Sequence, residues 1–270
     1  KYAIFGWWYH GYPDLRGHAA VDFDFVRHRW MDSLLFEIEN GLEYEPRVLV
    51  EDSLGTWHEG HDWPLEQSQH VRMHTSEKSL TPRAGRPGTV TYEDRMGAQR
   101  GSWTDAHVAF ESGPLDKDML VNGAPKVLLR AGSSQPSTKW VAYLLDVAPD
   151  GSWERISHGY ADSHSWKSED TWTEMAIAKP YRWTLNLMPT AVVMKKGHRI
   201  SLLIASQDSR NTHTGACFAD YRGGCYDPSG ILPATTAGRT VNAVFFGKNG
   251  TTVEWDWVDP RKTAKAPTGP

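Results

Sequence analysis

The chain of 270 residues lacks several features that mark common classes of protein. It has no apolar run close to the ~20 residues that a membrane-spanning helix needs. It also has no block of Lys or Arg, and 29 basic against 33 acidic residues give a formal net charge of −4. A slightly acidic chain without a basic block is a poor binder of nucleic acids or anionic membranes. We therefore expect neither as a partner.

Cysteine is scarce, with only Cys217 and Cys225. The two lie on either side of a Gly-Gly pair in a loop-like stretch. This spacing favours a local disulfide over two unrelated thiols, and a disulfide implies an oxidising compartment. A zinc site needs four ligands, and no second pair of cysteines exists. We expect a secreted or otherwise extracytoplasmic protein, with a cytoplasmic location as the alternative.

Two further features are missing: a Met at position 1 and the motif G-x-S-x-G, which carries the nucleophile of many serine hydrolases. The sequence instead opens on the apolar run 2–9. Such a run predicts a buried strand, and a buried strand needs neighbouring strands. We therefore expect a mature chain or a fragment whose preceding portion is missing.

Tryptophan (13 residues) and glycine (24 residues) are abundant, which favours a loop-rich β protein over a helical bundle. Apolar residues at spacings of three and four predict a helix over 22–39, ended by Asn40 and Gly41. From about residue 78, turn signals such as Asn122-Gly123 separate period-two runs. These runs predict strands at 106–111, 126–131, 140–147, 181–187, 199–206 and 241–246. Short strands without long helices are typical of a β-sandwich or jelly roll.

His10 is the main candidate for chemistry. It follows an apolar strand in a Gly- and Pro-rich loop, and loops on a rigid scaffold often carry catalytic residues. In α/β hydrolases the triad runs Ser, then Asp or Glu, then a His on a late loop. The adjacent Trp7 and Trp8 are candidate walls of a substrate pocket. We expect most other tryptophans to fill the core.

Two other groups of residues suggest metal binding, but a simpler interpretation is stronger for each. His58 and His61 are three residues apart in Gly-rich sequence, whereas zincins place two His at i and i+4 on a helix. Asp146, Asp150 and Gly151 could suggest calcium, but a Pro-Asp-Gly sequence is typical of a hairpin turn. We therefore predict no metal site and no other cofactor.

Three motifs together resemble one family. They are G-W-W-Y-H at 6–10, L-x-D-V-x-P-D-G at 144–151 and G-H-R-I at 197–200. Their order and spacing are similar to those of the X-prolyl dipeptidyl peptidase and cocaine-esterase group of serine hydrolases, and the resemblance covers nearly the whole chain. We expect His198 and Arg199 to be structural, because they begin a strand and could tie a turn.

The resemblance implies a mainly β fold. A C-terminal jelly-roll β-sandwich at 78–260 would be preceded by the last strand and helix of an α/β-hydrolase domain at 1–77. A tail at 261–270 would fray. The departures from the family are Trp7, where proline is usual, and the segment with Cys217 and Cys225, which is not a family hallmark. They bear on substrate choice more than on fold.

The resemblance also implies acyl-serine chemistry on an amide or ester bond, with His10 as the general base. An upstream α/β-hydrolase polypeptide would supply the nucleophilic Ser and the Asp, so this chain alone would be inactive. The substrate stays open between a prolyl peptide, an amino-acid ester and another acyl ester, and a homo-oligomer is a further possibility. The alternative is a noncatalytic β-sandwich module that binds a carbohydrate or another ligand, with His10 incidental.

Overall fold

The computed structural model describes residues 2–6, 22–95, 107–168, 170–206 and 239–264. Strands dominate this part of the chain. The α-helices in it are α1 (Phe23–Phe36) and α2 (Pro260–Thr263), and 3-10 helices span Leu42–Tyr44 and Ser163–Trp166. The strands are β1 (Ala3–Phe5), β2 (Val48–Glu51), β3 (Trp57–Gly60), β4 (Gln69–Ser76), β5 (Ser79–Thr81), β6 (Gly88–Arg95), β7 (His107–Glu111), β8 (Met119–Ser133), β9 (Lys139–Val147), β10 (Trp153–Asp162), β11 (Tyr181–Asn186), β12 (Thr190–Met194), β13 (Arg199–Ala205), β14 (Arg239–Phe246) and β15 (Thr252–Val258).

Strands β4 to β15 form one large mixed sheet. The order of hydrogen-bonded strands is β10-β9-β13-β7-β5-β4-β15-β8-β14-β6, and β11 and β12 also pair with β8. Alternate residues of β9 share one core cluster with residues of β8 and β11. The rings of Trp140 on β9 and Trp183 on β11 lie 5.2 Å apart across that core. Two layers of the sheet therefore pack face to face, and the prediction of a mainly β protein with a β-sandwich is confirmed.

A second, smaller sheet is formed by β1, β2 and β3. β1 pairs with β2 in parallel, and β2 pairs with β3 in an antiparallel hairpin. Helix α1 lies in the connection between β1 and β2. A parallel pair needs a crossover connection, which is usually a helix. This unit has the character of an α/β domain, as the resemblance implies.

The predicted helix over 22–39 is present, but it ends earlier than expected. Asp22 caps it by accepting a hydrogen bond from the backbone N–H of Phe25, and the last helical residue is Phe36. Glu37 then adopts a left-handed conformation with φ 56° and closes the helix. Asn40 does not cap it, because its side-chain amide is bonded to the backbone oxygen of Arg29.

The predicted strands overlap β7, β8, β9, β11, β13 and β14. The turn predicted at Asn122 and Gly123 is wrong, because β8 runs through both residues. Asn122 is fully buried, and its side-chain oxygen accepts a hydrogen bond from the backbone N–H of Leu65. Gly123 has φ 98°, and a Cβ there would lie 2.7 Å from Cγ of Pro64. Glycine is therefore needed here because β8 passes close to the segment with Pro64, and not because the chain turns.

The predicted division of the chain at residues 77 and 260 remains a prediction, and two observations bear on its boundaries. β4 lies before residue 78 but pairs with β15 in the large sheet. The tail predicted to fray from residue 261 begins inside α2, where Thr263 is buried. β4 and α2 are both held by contacts with parts of the chain that are distant in sequence.

Candidate functional site

The predicted general base, His10, and the predicted pocket walls, Trp7 and Trp8, lie outside the described residues. The strand that precedes them is described. β1 ends at Phe5, which is aligned with Val50 of β2 in the parallel pair. The point from which the segment with His10 departs is therefore known, and the role of His10 stays a prediction.

That point lies where the small sheet meets the sandwich. An apolar group that we name the junction cluster joins the two. The rings of Phe5 and Trp63 lie 5.0 Å apart within it. Leu120 of β8 and Val193 of β12 contribute from the sandwich side. The members of the junction cluster are Phe5, Val50, Trp63, Leu65, Leu120, Ala191, Val193 and Val258.

Helix α1 is tied to the small sheet by polar and aromatic contacts. The hydroxyl of Tyr2 donates to the backbone oxygen of Leu42 at 3.2 Å, and its ring lies 5.8 Å from that of Trp30. Arg29 donates to the backbone oxygen of Asn40 at 2.8 Å. These contacts hold the helix beside the chain entering β2, and they involve few buried apolar groups.

A buried polar chain links the small sheet to the C-terminal helix. Nε2 of His58 lies 2.9 Å from Oδ2 of Asp52, and its Nδ1 lies 2.9 Å from Oγ1 of Thr263 on α2. An ionised carboxylate only accepts hydrogen bonds, so Nε2 carries a proton. In a neutral ring Nδ1 then accepts from the threonine hydroxyl. We call these three residues the His58 network.

The His58 network has the carboxylate, imidazole and hydroxyl of a catalytic triad but cannot act as one. His58 is 0% exposed, Asp52 2% and Thr263 6%, so no substrate reaches the hydroxyl. Burial works against ionisation of Asp52. The hydrogen bonds from His58 and from the backbone of Thr56 and Leu54 outweigh it and hold the pKa of Asp52 below its usual value. The network therefore joins α2 to β3.

Two of the motifs that carry the resemblance meet in the sandwich. Asp146 belongs to the L-x-D-V-x-P-D-G run on β9, and His198 belongs to the G-H-R-I run. Oδ1 of Asp146 lies 2.8 Å from Nδ1 of His198. Burial raises the pKa of Asp146, against the effect of the hydrogen bond with His198. Arg199 makes an ion pair with Glu111 at 3.3 Å. These contacts tie the starts and ends of neighbouring strands, as expected of structural residues.

The Pro-Asp-Gly sequence forms the predicted hairpin turn between β9 and β10. Oδ1 of Asp150 accepts hydrogen bonds from the backbone N–H and the hydroxyl of Ser152, at 2.9 and 2.6 Å. Gly151 has φ 88°, a conformation that glycine adopts readily. Within the described ranges, no group of three or more His, Cys, Asp or Glu residues could hold a metal ion.

Cys217 and Cys225 lie outside the described residues, so their disulfide and the extracytoplasmic location it implies stay predictions. Among the helices that the structure describes, none is long and apolar enough to cross a membrane.

One cleft was missed in the sequence. Its volume is about 660 Å³. The residues that line it are Arg130, Trp166, Pro180, Tyr181, Arg182 and Asn249. The available signal was weak, since an arginine between apolar neighbours of a strand is common on the solvent face of a sheet. The cleft becomes visible only when the register of β8 and β11 is known.

Comparison with solved structures assigns the fold. A CocE/NonD family hydrolase from Staphylococcus aureus superimposes with a TM-score of 0.69 at 12% identity, covering 88% of this chain and 46% of that one. An alpha-amino acid ester hydrolase gives a TM-score of 0.66 at 17% identity, covering 94% and 49%. At these identities the likeness shows a common architecture, in which a short α/β unit precedes a β-sandwich.

Comparison of sequences assigns the family. The model for the X-Pro dipeptidyl-peptidase C-terminal non-catalytic domain matches residues 40–215, and the chain belongs to this family. A Bacillus anthracis protein provisionally named Xaa-Pro dipeptidyl-peptidase is 24% identical over 205 residues, which cover 71% of this chain and 34% of the relative. The chain spans about a third of the length of the curated relatives it matches.

Proposed function

We propose that this chain is the C-terminal part of a serine hydrolase that cleaves an amide or ester bond by acyl-serine chemistry. His10 is the general base, and α/β-hydrolase sequence outside this chain carries the nucleophilic Ser and the orienting Asp. The observation that supports this most is the parallel unit β1-α1-β2, which is joined to the sandwich by the junction cluster. It precedes a domain whose family occurs in X-Pro dipeptidyl-peptidases.

The arrangement of the small sheet supports the proposal that further strands pair with it. β1 stands at one end of the order β1-β2-β3, and the structure pairs it with β2 on one side. Parallel strands occur almost always in sheets covered by helices on both faces. Under this proposal, the remaining strands of an α/β-hydrolase sheet therefore continue the sheet beside β1.

The surface of α1 favours the same arrangement. Phe25, Leu34, Leu35 and Phe36 are all more than half exposed. Contiguous exposed apolar side chains mark interaction surfaces. These four residues are distributed around α1, and under this proposal the catalytic part of the hydrolase covers them.

The proposed reaction needs one group that transfers a proton, and His10 in the segment after β1 supplies it. A serine hydroxyl attacks the carbonyl carbon, and the imidazole of His10 takes the serine proton and returns it to the departing amine or alcohol. Imidazole suits this step because its ordinary pKa lies close to neutral pH. The sandwich and the rings of Trp7 and Trp8 would form part of the cleft wall and exclude water. Prolyl peptides, amino-acid esters and other acyl esters all fit this chemistry.

Labelling with a fluorophosphonate probe tests the proposal. The chain of 270 residues alone should stay unlabelled, and the complete hydrolase that contains it should label on a serine outside it. In the complete hydrolase, His10→Ala should lower kcat by about 10³-fold or more, because the serine loses its base.

His70→Ala is the matched control, because His70 lies exposed on β4 of the sandwich. It should retain ordinary activity. A fluorophosphonate adduct on the 270-residue chain itself, or full activity of the His10→Ala hydrolase, would show that the proposal is wrong.

A further inference from the structure

The missed cleft contains two arginines that face each other. In the antiparallel pairing of β11 with β8, Arg182 is aligned directly with Arg130. Like charges directly opposite each other in a sheet are destabilising. Within the described ranges, neither guanidinium forms a salt bridge with an acidic group. Two cations are thus placed together, and the part of the chain that the structure describes pairs neither with an acidic group.

The two side chains also converge on a single atom. Nη1 of Arg130 and Nη2 of Arg182 donate to the backbone oxygen of Asn249, at 3.2 and 3.1 Å. The guanidinium of Arg130 is held on another side by the ring of Phe245, whose centroid is 5.2 Å away. A neutral carbonyl oxygen orients the two groups but does not neutralise them. Each guanidinium has five N–H donors, and among the described residues each donates to Asn249 O through one nitrogen.

Trp166 lines the cleft beside the two cations. Tyr181 also lines it, but Tyr181 and Arg182 are consecutive on β11, so their side chains leave opposite faces of the strand. The rings of Trp166 and Tyr181 lie 4.4 Å apart. Their polar atoms are satisfied by neighbouring backbone: the indole N–H donates to Thr173 O at 3.1 Å, and the Tyr181 hydroxyl accepts from Ala176 N at 2.9 Å. The ammonium of Lys179 lies 5.6 Å from the centroid of the Tyr181 ring.

We propose that this cleft binds a small anionic ligand, whose carboxylate or phosphate is held by Arg130 and Arg182 and whose apolar body lies against Trp166. Planar guanidinium groups match the oxygens of both anions, and such charged hydrogen bonds are among the stronger ones in proteins. The cleft lies ten residues along β8 from Leu120 of the junction cluster, about 30 Å away at the rise of a strand. The proposal does not depend on the role of His10.

The test measures binding of defined probes to the full chain by calorimetry and ligand-observed NMR. The probes are phenyl phosphate, benzoate and the uncharged benzyl alcohol. Saturable binding is expected for at least one anion and not for the alcohol. Preference for phenyl phosphate assigns the phosphate group as the natural anion, and preference for benzoate assigns the carboxylate.

Two substitutions locate the site. Arg130→Gln and Arg182→Gln should each weaken binding by about ten-fold or more, because each removes a charged donor pair. Arg72→Gln is the matched control: it removes the same charge from an arginine that is paired with Glu254 and should change affinity less than about two-fold. Arg182→Lys keeps the charge and loses the planar guanidinium. Its loss of affinity should lie between that of Arg182→Gln and that of Arg72→Gln.

The thermal transition of each variant separates binding from folding. Because the substitutions remove repulsion between like charges, Arg182→Gln should melt no lower than the unsubstituted chain without ligand. Absence of saturable anion binding, equal losses in Arg72→Gln and Arg182→Gln, or equally tight binding of benzyl alcohol would each overturn the proposal.

Discussion

The N-terminal helix and the sandwich bury their apolar side chains to very different extents. None of the residues of α1 is buried, and Leu34 on its apolar side is 61% exposed. On β9, by contrast, Trp140, Ala142 and Leu144 are 0% exposed. Both segments have clear apolar periodicity in sequence. The difference teaches that a pattern shows which side of an element is apolar, while burial depends on what packs against it.

The two regions are nevertheless firmly connected. The junction cluster packs Phe5 and Val50 of the small sheet against Leu120 and Val193 of the sandwich. The His58 network adds a buried polar connection from β3 to α2. The small sheet is therefore well attached along one side, while α1 beside it leaves its apolar side chains exposed.

The largest loss of stability is expected from Asp52→Ala, which breaks the polar connection between the two regions. It removes the carboxylate from a buried pair and leaves Nε2 of His58 without its partner, so the free energy of unfolding should fall by about 3–5 kcal/mol. Asp150→Ala is the matched control, because Asp150 also accepts backbone and side-chain hydrogen bonds but in an exposed turn. It should cost much less than Asp52→Ala, because water replaces the lost partner in an exposed turn. Urea unfolding measures both, and equal losses would contradict a special role for the His58 network.

A pair of identical substitutions tests the comparison directly. Leu144→Ala should lower the free energy of unfolding by about 3 kcal/mol, because it leaves a cavity in the core between the two layers. Leu34→Ala on α1 should change it by about 0.5 kcal/mol or less, because the side chain is largely exposed. Urea unfolding of both variants at one pH gives the values. A loss for Leu34→Ala as large as that for Leu144→Ala would show that α1 is buried in solution.

The smallest effect concerns pH and lies on β10. Burial lowers the pKa of His158 to about 4, with a further lowering by the positive charge of Arg155. His158 stacks on Tyr143, with ring centroids 6.0 Å apart. Below its ordinary pKa near 6.5 the unfolded chain takes up a proton that the folded protein does not. The free energy of unfolding should therefore fall as the pH drops from about 6.5 to 4.

His158→Gln should remove part of this decline, measured by urea unfolding at a series of pH values. His28→Gln on the exposed face of α1 should leave the decline as it is in the unsubstituted chain. An identical pH profile for His158→Gln and the unsubstituted chain would show that His158 does not cause the decline.

Several strands were predictable and others were not, for physical reasons. β9 and β13 were predictable because each is a long apolar run bounded by turn signals, and the structure buries both faces of each strand. β10 was missed because a bulge between Arg155 and Ser157 shifts its register against β9 and breaks the period of two. β12 was missed because it is a run of only five residues, and most of them are buried. At Gly123 the reverse error arose, since glycine served a close packing contact with Pro64 and no turn.

By itself the sequence determined the mainly β fold, the helix after the first strand, and the two motifs that contain Asp146 and His198. These depend on local periodicity and on residues whose types and spacing identify a family. Only the tertiary structure decided that Asp52, His58 and Thr263 form one buried network and that Arg130 faces Arg182. Such contacts depend on strand register and on the packing of distant segments, and a one-residue change in register would separate them.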